Sequence, residues 1–160
     1  MKKTDDIDLF LTLHEHGWST CWIYANNKTI ELTISHVFGD PYVDFITSLN
    51  QLIDKHNETS FIWYGEPGGE KIEIKRIRDR QHMLTVKVDG FCESFGDPIK
   101  NYETTITFEI KEKQLITIAY FQLKKIEALL KEKSFAVDRK SDFPFEHFLK
   151  FENKVKNYLS

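Results

Sequence analysis

Glu66 follows an aromatic run, Phe61 to Tyr64, and precedes Pro67-Gly68-Gly69. A carboxylate desolvated in such a place would have the raised pKa that a general base requires. No second carboxylate stands at a spacing that makes an acid/base pair. The simpler reading is a residue that stabilises a turn or faces a partner. His14 and His16 are two apart, so on a strand they would share a face. Such a pair holds a metal only when a third ligand joins it, and His36 on another strand is the one candidate; otherwise the two are a surface pair at a strand end. Cys92 lies in Gly-Phe-Cys-Glu-Ser-Phe-Gly-Asp, close in sequence to Asp89, Glu93 and Asp97. Negative neighbours disfavour the thiolate that a nucleophile needs, so a structural thiol is the better reading. Arg76, Arg78 and Arg80 follow Lys71 and Lys75 and could meet phosphate, but Glu70 and Glu73 interrupt the run. A solvated strand face, or pairing with carboxylates on neighbouring strands, explains them more simply.

No Walker loop, G-x-G-x-x-G, G-x-S-x-G, H-E-x-x-H or EF-hand pattern occurs. No catalytic, cofactor-binding or metal-ligating residue is assigned, and an enzyme is not the favoured reading. The acids at turns and strand ends, Glu66, Glu70, Asp89, Glu93 and Asp97, are the residues expected to face a protein partner.

The elements that position these residues follow from periodicity. Ile7, Leu9, Leu11 and Leu13 alternate with polar residues, the period of a half-buried strand. Trp18 to Ala25 reads as a second strand, Asn26-Asn27 as a tight hairpin turn, and Ile30, Leu32 and Ile34 as the core side of a third. Gly39-Asp40-Pro41 is a helix start, with Tyr42, Phe45, Ile46, Leu49, Leu52 and Ile53 on one stripe. Strands follow at Phe61–Tyr64, from Ile72 with a bulge at Lys75-Arg76-Ile77, around Leu84–Val88, and over Tyr102–Ile110. A helix is expected from about Glu112 to Lys133, although Leu115 to Phe121 also has the composition of a strand. Ser141-Asp142 offers caps for a last helix carrying Phe145, Phe148, Leu149, Val155 and Leu159. The expected architecture is α+β: one mostly antiparallel, meander-like sheet of about seven strands, with one inserted helix and two C-terminal helices on one face.

The 160 residues suit a single α+β domain spanning 1–160. A chain of this length buries enough surface to fold without a disulfide or metal. Thirteen Phe, six Tyr and three Trp exceed what a core alone needs and leave aromatic surface for contacts. Two cysteines make no disulfide framework. Met-Lys-Lys is followed by acids rather than an apolar stretch, so a cytoplasmic location is expected, with no membrane or nucleic-acid partner. Residues 1–70 hold 11 acids and 4 bases, a balance of −7, whereas residues 71–160 hold 14 acids and 18 bases, a balance of +4. That asymmetry is what an acidic face for a basic partner would produce, unless the halves intermix in space.

A hairpin start with Trp18 and Trp22, the Gly-Asp-Pro helix start, the segment Phe61-Ile62-Trp63-Tyr64-Gly65-Glu66-Pro67-Gly68-Gly69-Glu70 and the Asp142-Phe143-Pro144 helix entry occur in that order. The chain in this respect resembles a loose group of small bacterial α+β proteins, some of them similar to immunity proteins of polymorphic or contact-dependent toxin systems. The resemblance covers most of the chain in element order, and Glu-Pro-Gly-Gly is its most specific part. It implies a non-enzymatic protein-binding domain that neutralises a toxin by direct binding. The alternative is a small-molecule or lipid-binding domain with an aromatic cavity.

Overall fold

A computed structural model describes residues 4–92, 98, 99 and 101–160. Three strands open the chain: β1 (Asp8–Leu13), β2 (Trp18–Ala25) and β3 (Lys28–Ser35). They form an antiparallel sheet in the order β1-β2-β3, with Leu11 opposite Cys21 and Cys21 opposite Leu32. The two-residue turn between β2 and β3 places Asn26 and Asn27 at φ 53° and 60°, the left-handed pair that a tight hairpin demands. Helix α1 (Pro41–Ile53) then starts as its sequence dictates. Asp40 Oδ1 accepts from the Tyr42 and Val43 amides at 3.0 and 3.1 Å, and Pro41 occupies the first turn, where no amide hydrogen is needed.

The next four strands are β4 (Glu58–Tyr64), β5 (Gly69–Ile77), β6 (Arg80–Phe91) and β7 (Glu103–Lys111). They form a second antiparallel sheet in sequence order. The expected bulge is present, as the β5–β6 register shifts between Arg76 and Ile77. The expected single seven-stranded sheet is not: three and four strands form separate sheets. Alternation tells which face of a strand is buried but not which strand lies beside it. The local hairpin turn gives β4 to β5 instead of to β3, from which α1 separates it in sequence.

Residues 115–121 belong to a helix, α2 (Glu112–Leu129), so the strand alternative is set aside. The short α3 (Lys133–Ala136) and then α4 (Phe145–Leu159) complete the chain. Helix α2 ends four residues earlier than expected, and a turn over 130–132 separates it from α3. The cap expected from Ser141-Asp142 does not form: both lie in a single 3-10 turn, and no side chain caps α4. The inward faces of both sheets, the α1 stripe and the inner sides of α2 and α4 share one apolar core. Phe45, Phe61 and Trp63 pack on one another there with ring centroids 5.1 to 5.7 Å apart. Gln122 of α2 accepts from the Leu11 amide at 3.1 Å, which occupies part of the open edge of β1.

Candidate acidic recognition groove

At one end of the first sheet, three chain segments distant in sequence meet. The β1–β2 turn holds His16 in a left-handed conformation (φ 60°, ψ 34°), and its amide donates to the Asp138 carbonyl at 2.9 Å. Asp138 is also left-handed, at φ 57°. His36, just after β3, places Nδ1 2.8 Å from the Gly17 carbonyl oxygen and Nε2 3.2 Å from that of Asp142. That one ring therefore ties the β1–β2 turn to the entry of α4. Glu66 joins from the β4–β5 turn, which the Gly65 amide closes on the Gly68 carbonyl at 2.7 Å. Gly68 is required in that turn, because a Cβ there would run into the Phe91 and Cys92 carbonyl oxygens.

These segments enclose an open groove of about 410 Å³, whose lining includes Trp18, His16, His36, Glu66, Asp138 and Asp142. Three acidic residues line it, and no lysine or arginine is among its described lining residues. Val37 at its edge is 62% exposed, and Val137, next to Asp138 in the chain, is 58% exposed. Phe38, also exposed, rests its ring 5.0 Å from Tyr64, two residues before Glu66. The groove's lining thus combines acidic residues with Trp18 and the exposed Val37.

The acids expected to face a partner are placed differently from one another. Glu66 is exposed and lines the groove. Glu70 lies on the core-facing side of β5, in register with Ile72 and Ile74 and opposite Trp63 and Gly90. Its Oε2 is buried with no hydrogen-bond partner among the described residues, and desolvation pushes its pKa up to about 7. Burial, and then the Glu70 charge, push the Cys21 thiol up as well. Asp89 is buried, accepts from Thr104 at 2.8 Å and pairs with Lys87 at 3.3 Å. Glu93 and Asp97 lie outside the described residues. A second groove, of about 650 Å³, runs past Glu70, Gly90 and Tyr102. Its lining reaches Cys92 and Asn101, the borders of a stretch that is only partly described.

The other candidates resolve as follows. His14 and His16 do not share a strand face, because β1 ends at Leu13 and His16 sits in a turn. His14 Nε2 instead meets the Thr20 and Thr12 hydroxyls at 2.8 and 3.1 Å. Cys92 is a free thiol just past the end of β6, exposed rather than the semi-buried structural thiol expected from its sequence. The arginine run is divided. Arg76, 3% exposed, meets Glu112, 5% exposed, at 3.1 Å, and also donates to the Leu52, His56 and Gln81 carbonyls. Arg78 is in an exposed turn, and Arg80 meets Glu109 at 3.4 Å. Sequence reasoning did not anticipate Asp138 and Asp142, which are 72 and 76 residues from Glu66. Among the described residues, hydrogen bonds of His16, His36 and Arg139 bring that segment there, and no local pattern announces those bonds.

No protein-family model, curated protein or solved structure matches this chain.

Proposed function

We propose that this protein is a non-enzymatic protein-binding domain whose acidic groove receives a basic side chain of its partner. The observation that carries the reading is the convergence of Glu66, Asp138 and Asp142 around Trp18 with no cationic residue among the described lining. Three acidic residues around one concave site concentrate negative potential there, and a lysine or arginine entering the groove is drawn by it. The exposed Val37, at the groove, and the exposed Phe38 and Val137, next in sequence to groove residues, offer apolar contact area beside the charge. The partner class is a protein with a basic surface. An immunity protein that covers the basic active surface of a toxin would use a groove of this kind, and a cytoplasmic location fits that role.

The test compares two baits in affinity capture from the source cell: the native protein and the Glu66→Gln/Asp142→Asn variant. Both substitutions are near-isosteric and sit in exposed or half-buried positions, so the fold should persist. A protein retained by the native bait and lost from the variant supports the reading. A partner retained equally by both baits overturns it.

A further inference from the structure

We infer that Glu15, His16 and Asp138 form a site for a divalent transition-metal ion, such as Zn2+, at the mouth of the groove. One ligand atom from each of the three residues can be chosen so that all lie within 4.8 Å of one another. His16 Nε2 is 3.7 Å from Glu15 Oε2 and 3.9 Å from Asp138 Oδ2. Donors around an ion at about 2.1 Å stand roughly 3.0–3.4 Å apart, so the two His16 pairs close with small rotamer adjustments, while the Glu15 and Asp138 carboxylates must approach each other by up to roughly 1.8 Å. One imidazole and two carboxylates are a set that first-row transition ions accept, and the nitrogen ligand disfavours Ca2+ and Mg2+.

Two features hold the donors in place before any ion arrives. The His16 amide donates to the Asp138 carbonyl at 2.9 Å, so the two ligand-bearing backbones are clamped together. Glu15 divides its oxygens: Oε1 lies 3.7 Å from Arg139, leaving Oε2 for His16. Arg139 is itself fixed, with Nε donating to the Leu13 carbonyl at 3.1 Å and Nη1 to that of Phe135 at 2.9 Å. An anchored outer group that orients a carboxylate ligand is the support that protein metal sites use. All three ligands are exposed, so water completes the coordination sphere. Glu66 and Asp142 in the adjoining groove add negative potential that draws a cation in.

The ion site and partner binding can fail separately, because Glu15 is not among the groove's lining residues. The experiment titrates the full chain with Zn2+ by calorimetry and with Co2+ by visible absorption. The expected result is saturable one-to-one uptake, with nitrogen-ligand bands for Co2+. Glu15→Gln, His16→Asn and Asp138→Asn should each weaken it by about 10-fold or more. Asparagine tolerates the left-handed backbone at 16 and 138, so these variants keep the fold. His14→Asn should bind as the native protein does, and Glu15→Gln should still capture a groove partner. Uptake that does not saturate at millimolar Zn2+, or that is unchanged in His16→Asn, overturns the assignment.

Discussion

Replacing Glu70 by Gln should abolish most of a pH dependence that the native domain carries near neutrality. Glu70 Oε2 is buried with no partner among the described residues, and desolvation raises the group's pKa to about 7 against an ordinary 4.5. The folded state therefore holds this proton more tightly than the unfolded state does. As pH rises from the unfolded pKa towards the folded one, the unfolded chain has released its proton while the native domain retains it. Stability is thus highest below that window and is lost across it, with the full penalty present above the folded pKa. At about 1.4 kcal/mol per pKa unit the shift corresponds to roughly 3 kcal/mol. Glu70 is only partly buried, so solvent screening reduces this to about 1–2 kcal/mol. The assay is urea unfolding of the native protein and Glu70→Gln at about pH 5 and about pH 8. A buried glutamine amide carries its own cost, but that cost does not vary with pH. The native protein should lose about 1–2 kcal/mol more than the variant between the two conditions. Parallel pH profiles would refute the assignment of a trapped proton to Glu70.

Two further outcomes test the core. Arg76→Ala should cost about 3–5 kcal/mol in urea unfolding, because it leaves the buried Glu112 carboxylate without its guanidinium and frees the carbonyls of Leu52 and His56. A loss below roughly 1 kcal/mol would mean that Lys55, which meets Glu112 at 2.9 Å, suffices alone. Leu49→Ala should cost about 2–5 kcal/mol, since Leu49 is fully buried on the α1 stripe. A near-neutral result in the same assay would place that stripe outside the core.

The parts of this fold that could be read from sequence are those whose cause is local. Asp40-Pro41 caps α1 through amides two and three residues away. Asn26-Asn27 makes its turn from its own tolerance of positive φ, and the broken alternation at Arg76 marks the register shift. What could not be read depends on distant partners. The alternation of β3 and β4 is the same whether the two strands pair or not, so one sheet could not be told from two. Arg76 appeared as part of a basic run because Glu112, which neutralises it, arrives from α2. On α4 the apolar pattern included Leu149, which is exposed, and omitted Phe151, which is fully buried, because α4 packs against both α1 and α2. Of the candidate site, Glu66 was identified from its turn. Asp138 and Asp142 join it through long-range contacts of their segment to the β1–β2 turn, the end of β1 and His36.

The most direct measurement is the association rate of the captured partner at low and high salt, with native protein and with the Glu66→Gln/Asp142→Asn variant. Removing two of the groove's three carboxylates takes away most of the field that steers a basic surface to it. The account predicts association that slows steeply with salt for the native protein, and slower association with a flatter salt response for the variant. Equal rates and equal salt dependence for the two proteins would contradict it.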